Sequence, residues 1–355
     1  MGLILMGAFV SVTFGPILFE HRLAKNAGLS EHAFGVAEYG LSEAIGSWDT
    51  GTWNSLGVTD SATFSGTTPS GRGSYSGLVQ RLNNELFLVT VTGNDPTLGA
   101  RQRLGQFVRL QLIELDIKAA LTIRGPTDVG GSAEINGNDA SPAGWACEME
   151  PDTTMAGIRL SSAGDLTTTG TCSGASCIGG NPSILADSAI ADSTFFQYGD
   201  VDWDDLVSMA TIILPAGSYR IEPELSGGAC TNSITNWGDP VTPSSPCFGR
   251  FPIIYAPDDL TINQALGQGI LLVEGDLSVQ GGFQFYGITI VRGRLRTVGT
   301  GGHFHGAVMA ANMDMDDNAV LGNALVQFSS CTVHKALSAA SPATLLRSRG
   351  WVYAF

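Results

Sequence analysis

The chain is poor in charge. Only 14% of its 355 residues are Asp, Glu, Lys or Arg, where about a quarter is usual for a soluble domain. Cationic side chains are the scarcest, 18 against 33 carboxylates, and the formal net charge is −15. That excludes nucleic acid as a partner, because phosphate binding needs concentrated Lys and Arg. No Cys-x-x-Cys pair occurs, which removes zinc-knuckle and thioredoxin-like readings. G-x-x-x-x-G-K-[ST], G-x-S-x-G and H-E-x-x-H are also absent. The Gly-rich run from Gly125 to Glu134 contains no lysine and precedes a strand pattern, so it is no phosphate loop.

What is present points to a turn-rich β protein. Hydrophobic residues make up 43% of the chain, too many for disorder. Glycine is abundant, at 46 residues, and Thr, Ser and Val are frequent. The length suggests two or three modules. Six cysteines stand at Cys147, Cys172, Cys177, Cys230, Cys247 and Cys331. An even number in so polar and weakly charged a chain fits an oxidising compartment. Fifteen pairings are open. Cys230 with Cys247 is the favoured candidate, because the two bracket a polar, Pro-rich loop.

Met1 to Phe19 is almost wholly apolar, with only Ser11 and Thr13 as polar side chains. As a helix it would reach about 28 Å, close to the hydrocarbon thickness of a bilayer. No basic n-region or A-x-A-like site marks it as a secretory signal. A membrane-embedded helix is therefore expected, with Pro16 kinking it. Polar residues follow, and then Phe34, Val36, Ala37, Tyr39, Leu41, Ala44 and Ile45 recur at three- and four-residue spacing. That pattern continues the helix in amphipathic form.

The stretch FEHRLAKNAGLSEHAFGVAEYGLSEAI resembles the start of type IV pilus assembly proteins with a PilX-type N-terminus. The matching residues are Glu20, Arg22, Ala24, Asn26, Ala33, Phe34, Ala37 and Glu38, with His21 as one extra residue. The match covers roughly the first 46 residues. The resemblance implies a non-enzymatic structural or assembly component of a type IV pilus-like or related secretion system. It implies pilin or pseudopilin subunits and the membrane as partners through the helix, with Phe9, Val10, Phe14, Glu20 and Arg22 as the assembly residues. It also implies residence outside the cytoplasm, anchored in the inner membrane or built into a pilus. Gly15 and Glu20 have the spacing of a prepilin cleavage site, but Pro16 follows and the apolar run lies upstream. We read this as coincidence and expect a coding start upstream of Met1.

Beyond the helix, two strands around Leu78–Leu82 and Leu86–Leu88 should meet in a tight hairpin at Asn83-Asn84. Gln106 to Ile117 alternates, with a parity switch at Leu112-Ile113, and reads as a third strand. In the C-terminal third an apolar ladder steps through Leu260, Leu277, Leu295, Met313 and Cys331, and a second through Ile262, Val279, Thr297, Met315 and Val333. Steps of about eighteen residues suit a three-sided β-solenoid. The segment 252–333 resembles the solenoid heads of pilus-associated surface proteins and, more loosely, bactofilin scaffolds.

The fold expected is thus α+β, mainly β: a long N-terminal apolar helix, a small antiparallel sheet, then a β-solenoid of about 18 residues per coil with a disulfide-bearing insertion. Residues 1–46 form the helix, 47–117 a pilin-like α/β module, and 118–139 a first coil. Residues 140–250 form the Cys-containing insertion, with a short helix near 200–210. Residues 251–340 form the solenoid, and 341–355 a capping strand that closes the solenoid or returns to the N-terminal sheet.

One face of the expected solenoid is charged. Asp276, Arg294 and Asn312 recur at 18-residue steps, as do Ser278, Arg296 and Asp314, and Glu274 aligns with Arg292. Asp276, Arg292, Arg294, Arg296 and Asp314 are the candidate glycan-facing ladder. Opposite charges on neighbouring strands also set register, and that structural role is the reading preferred here. No cleft or tuned acid–base pair is marked, so no catalytic residue and no cofactor are assigned. The run Met313–Asn318 lacks the Gly and distal Glu of an EF-hand. His303, His305 and His334 are read as packed or exposed rather than metal-bound. Two alternatives to the pilus reading stay open: a polysaccharide-binding or -cleaving β-helix protein, and a bactofilin-like polymerising scaffold.

Overall fold

The computed structural model describes residues 2–54, 56–95, 99–111, 113–147, 154–199, 201–312, 317–346 and 350–353. It divides into two compact units.

Unit 1 comprises Met1–Asp49, Ser55–Gln111 and Pro342–Phe355. Its helix α1 spans Gly2–Gly46. Ala33, Val36, Ala37, Leu41 and Ala44 are buried, the stripe that helical periodicity dictates. The sheet is antiparallel, with β1 (Ser61–Thr67), β2 (Ser74–Arg81), β3 (Leu86–Asn94) and β4 (Arg101–Leu110) in chain order. The Asn83 side chain closes the β2–β3 turn, accepting from the amides of Glu85 and Leu86 at 2.9 and 2.7 Å. Phe87, Val89 and Val91 alternate inward on β3. Gly93 lets α1 approach closely: a Cβ there would lie 2.3 Å from the Ala33 carbonyl oxygen. The His32 ring nitrogen Nδ1 sits 2.8 Å from the buried Asp95 carboxylate, and Gln102 donates to Ser30 at 2.6 Å. Strands Ala343–Leu345 and Trp351–Tyr353 both pair antiparallel with β4.

Unit 2 comprises Thr50–Asn54 and Leu112–Ser341. It opens on α2 (Thr50–Trp53) and continues through β5 (Ala119–Ile123), β6 (Thr127–Val129), β7 (Glu134–Asn136), β8 (Ala156–Leu160), β9 (Leu166–Thr168), β10 (Ile178–Gly179) and β11 (Ile184–Ala186). Then come α3 (Asp192–Phe196), the paired β12 (Gln197–Tyr198) and β13 (Val201–Asp202), and α4 (Trp203–Ser208). β14 (Ile212–Ile213) and β15 (Gly217–Ile221) precede the small hairpin of β16 (Leu225–Ser226) and β17 (Ala229–Cys230). β18 (Ile253–Ala256), β19 (Leu260–Val273), β20 (Leu277–Val291), β21 (Leu295–Val298), β22 (Gly302–Ala310), β23 (Asn318–Val320), β24 (Leu325–Gln327) and α5 (Ser330–Ala340) complete it.

Sixteen of these strands form one parallel stack, and its order is not chain order. β5, β6 and β7 pair with β22, β23 and β24 through Val308↔Leu121, Asn318↔Thr127 and Leu325↔Glu134. From that seam the chain builds outward through β8, β9 and β10 to β11. It re-enters at β14 and β15, which pair with β18 and β19, and builds back through β20 to β22. The crossover between β11 and β14 runs along the outside. Arg124, just after β5, pairs with Asp192, Arg292, just after β20, lies over Phe196 and Trp203, and Trp203 meets Tyr255 of β18.

Two cores result. One fills the interior with Leu121, Ile135, Val279, Phe283, Phe285 and Phe304. The other lies between the outer sheet face and the helices, joining Ile270, Ile288 and Met309 to Phe195, Trp203 and Val333. Corners are tight at Gly269, Gly287 and Gly306, all at positive φ; a Cβ on Gly287 would stand 2.1 Å from the Gly269 carbonyl oxygen.

The fold expected from sequence is overturned in three respects. Among the described residues no helix is long and apolar enough to cross a membrane. The stack is not a regular eighteen-residue solenoid. Register partners lie at Leu260↔Leu277 and Leu277↔Leu295, but then at Phe283↔Gly302 and Arg296↔Ala319. Cys331 and Val333 stand on α5, not on a strand ladder, and Met313 and Met315 fall outside the described residues. Finally, 140–250 is no insertion beside the stack, since β8–β11, β14 and β15 belong to it. The physical reason is common to the last two. Apolar parity reports that a strand is buried, but parallel backbone pairing accepts any strand edge as its neighbour. The third strand also ends at Leu110, and Ile113 beyond the parity switch bridges to Gly199 within unit 2.

Candidate functional site

The charged ladder stands where strands leave the corners of the stack. β20 begins after Asp276, and β21 begins after Arg294, one turn along. Arg294 donates to Asp276 Oδ2 through Nε and Nη2 at 2.8 and 2.6 Å. Its backbone amide also donates to Asp276 Oδ1 at 2.8 Å. The amide of Asp276 donates in turn to Asp259 Oδ1 at 2.8 Å. Each carboxylate therefore pegs the backbone of the next turn, as a capping residue would. Sequence reasoning missed Asp259, although it stands 17 positions before Asp276 and so repeats the step of Leu260↔Leu277.

Arg292 is held from two sides. Its guanidinium pairs with Glu274 at 2.6 Å and lies 4.8 Å from the Phe196 ring centroid and 5.7 Å from that of Trp203. Burial, then the Glu274 carboxylate, raises the Tyr255 hydroxyl above its ordinary range. Tyr198, buried on β12 of the crossover, is raised as well, mainly by burial. Arg296 is exposed and aligns with Ser278 and Ala319. Asp314 lies outside the described residues, as do the side chains of Phe9, Val10 and Phe14. Glu20 and Arg22 are exposed on α1.

An open cleft of about 560 Å³ lies elsewhere in unit 2, lined among others by Glu222, Asp239, Gln264 and Gln284 and by none of the ladder residues. The Glu222 carboxylate is already taken by Arg220, whose Nε and Nη2 stand 2.6 and 2.5 Å away. Among the described residues no group of three His, Cys, Asp or Glu is placed to hold a metal ion. His305 stacks on Tyr286 with ring centroids 4.4 Å apart. Burial, helped by His303, pushes its imidazole down to about 4, so it is neutral at ordinary pH. Tyr286 stacks on Trp145 at 5.9 Å, and Trp145 meets Phe248 and Phe251 edge-on.

All six cysteines are bonded, as Cys147–Cys331, Cys172–Cys177 and Cys230–Cys247. At the seam, Asn318 is fully buried. Its Oδ1 accepts from the Leu295 amide at 3.1 Å, and its Nδ2 donates to the carbonyls of Arg124 and Pro126 at 3.2 Å each. One asparagine so joins three consecutive turns, and no spacing in the sequence announces it.

No family model matches the chain, and no curated protein does. Among solved structures, the competence-associated pilin ComZ from Thermus thermophilus is found at 12% identity, covering 90% of this chain and 96% of that one. The TM-score is 0.26, too low for a shared fold to be argued from it.

Proposed function

We propose that this protein is a non-enzymatic structural or assembly component of a type IV pilus-like system, working outside the cytoplasm, with pilin-type subunits as partners of α1. The observation that carries the compartment is the cysteine state. Six of six are paired, and one bond joins residues 184 apart, an arrangement that persists only where thiols are oxidised. The stretch from Phe19 to Ile45, which resembles a PilX-type N-terminus and runs along α1 into its buried stripe on the sheet, supports the pilus assignment. The ladder supports a structural role over catalysis, because Asp276 and Arg294 satisfy each other and the adjacent backbone. Such a pair offers no free acid or base.

The test is N-terminal mass spectrometry of the native protein from sheared surface filaments and from membranes, with a chain lacking residues 1–30 in parallel. The reading requires the full chain in the filament fraction and the truncated chain excluded from it. Full chain confined to membranes, or a truncated chain incorporated as well as the intact one, would overturn it. Loss of turnover of an acidic glycan in an Arg294→Ala chain would favour the polysaccharide reading instead.

A further inference from the structure

Among the described residues, the seam is the one place in unit 2 where strands from opposite ends of its sequence pair. Besides the three rows of register partners, the Arg124 amide donates to Ala310 O at 3.1 Å, Gly130 to Val320 O at 3.1 Å, and Phe328 to Asn136 O at 2.8 Å. The segment after β7 then reaches past the seam. Asp139 Oδ1 accepts from the Ser330 amide at 2.9 Å. Trp145 covers Tyr286 of β20, and its Nε1 donates to Pro240 O at 2.7 Å. Two residues later Cys147 is bonded to Cys331 on α5, a helix packed over β19, β20 and β22. The other two disulfides close only 5 and 17 residues and stay on one side of the seam.

We infer that Cys147–Cys331 is a redox latch on this seam. Oxidised, it holds the β5–β11 side of the stack against the β14–β24 side. Reduced, the two sides part at the seam while each keeps its own ladders. The chemistry is thiol–disulfide exchange with a dithiol reductant. A reductant thiolate attacks one sulfur and forms a mixed disulfide. Its second thiol then displaces that sulfur, leaving Cys147 and Cys331 as thiols and the reductant as a cyclic disulfide. Two electrons and two protons pass to the protein. The latch rests on seam geometry and stands apart from the pilus reading.

Hydrogen exchange of the full chain tests it, with and without dithiothreitol under native conditions, alongside a Cys147→Ala/Cys331→Ala variant and a Cys172→Ala/Cys177→Ala control. Iodoacetamide mapping reports which cysteines are reduced. The amides that cross the seam, those of Arg124, Gly130, Glu134, Asn318 and Phe328, should exchange at least about tenfold faster once the latch is open. Those in 260–291 should keep their protection, and the control should leave the seam unchanged. Should the variant fail to fold, the reduced wild-type chain decides. The latch is refuted by seam amides that stay protected with Cys147 and Cys331 alkylated, by uniform loss across β19 and β20, or by a pair that resists dithiothreitol in the folded chain.

Discussion

The two units solve the same problem, burying the faces of a sheet, by opposite means. In unit 1 each of β1 to β4 pairs with its neighbour in the chain and closes a short loop, with the C-terminal strands Ala343–Leu345 and Trp351–Tyr353 added from afar on the β4 edge. Unit 1 contains no cysteine, and nine Lys and Arg stand against eight Asp and Glu. Unit 2 pairs Leu121 with Val308 and contains all six cysteines. It also holds twenty-five carboxylates against nine cations, so its compact state works against self-repulsion. The difference teaches where covalent bonds are placed. Disulfides are found in the unit whose topology is non-local and whose charge is one-sided, and the longest of them crosses the seam.

The largest effect that could break this comparison is removal of that bond. In the chain-entropy account a link across 184 residues is worth about 5 kcal/mol, against about 3 for the 17-residue link and about 2 for the 5-residue link. Calorimetry of Cys147→Ser/Cys331→Ser should show unit 2 melting far earlier while the transition of unit 1 stays in place. Equal losses from all three pairs would mean that seam topology is not what the disulfides serve.

Next come the close-packed glycines, one for each unit. Gly287→Ala puts a Cβ 2.1 Å from a backbone oxygen at a φ of +139°, and should cost unit 2 about 3 kcal/mol. Gly93→Ala meets the backbone of α1 at 2.3 Å without a φ penalty. It should lower the transition of unit 1 by about 2 kcal/mol as the helix is pushed from the sheet. Denaturant titration followed by Trp48 and Trp237, which report unit 1 and unit 2 respectively, separates the two.

Much of what these substitutions probe was within reach of the sequence. The spacing of Val36, Ala37, Leu41 and Ala44 shows the buried stripe of α1, and Asn83-Asn84 shows the β2–β3 turn. The run of Leu260, Leu277 and Leu295 shows one column of the stack, and the same step sets Asp276 opposite Arg294 and Glu274 opposite Arg292. The seam was out of reach. Leu121 and Val308 are ordinary apolar strand residues, and backbone hydrogen bonds carry no residue code that would pair them. Extending the ladder to Cys331 failed because α5 begins at Ser330, and one apolar residue at the expected step cannot tell a strand from a helix. The aromatic cover on Arg292 was equally hidden, since Phe196 and Trp203 reach it only through the crossover that scrambles the stack.

A smaller effect tests the aromatic column beside the seam. His305 is neutral in the folded protein because burial pushes its imidazole down to about 4, below the ordinary 6.5. On acidification the unfolded chain therefore takes up that proton first. The contribution of this group is complete above pH 6.5 and is lost as pH falls from there toward 4. Partial exposure reduces the full effect to about 1–2 kcal/mol. His305→Phe keeps a ring on Tyr286 and removes the titration. Its stability should fall less than wild type between pH 6.5 and 4, and parallel curves would show that the seam column does not feel this proton.

The smallest effect decides between the two readings of the charged face. Asp276 and Arg294 are about a third and two-fifths exposed, at 33% and 43%, so solvent screens their attraction and the pair is worth about 0.5–1 kcal/mol. Asp276→Asn retains an oxygen to accept from the Arg294 amide and removes only the charge. Arg294→Ala removes the guanidinium and leaves the amide bond in place. A double-mutant cycle over these two changes isolates the ion pair, and its coupling should shrink in high salt. If the pair pegs one turn to the next, the coupling is measurable and glycan binding is untouched by either change. If the face exists to meet a glycan, the coupling vanishes and each substitution weakens binding to an acidic polysaccharide. The two geometries of Arg294, side chain and amide on the same carboxylate, favour the first result, because a group committed to its neighbouring turn has little left to offer a ligand.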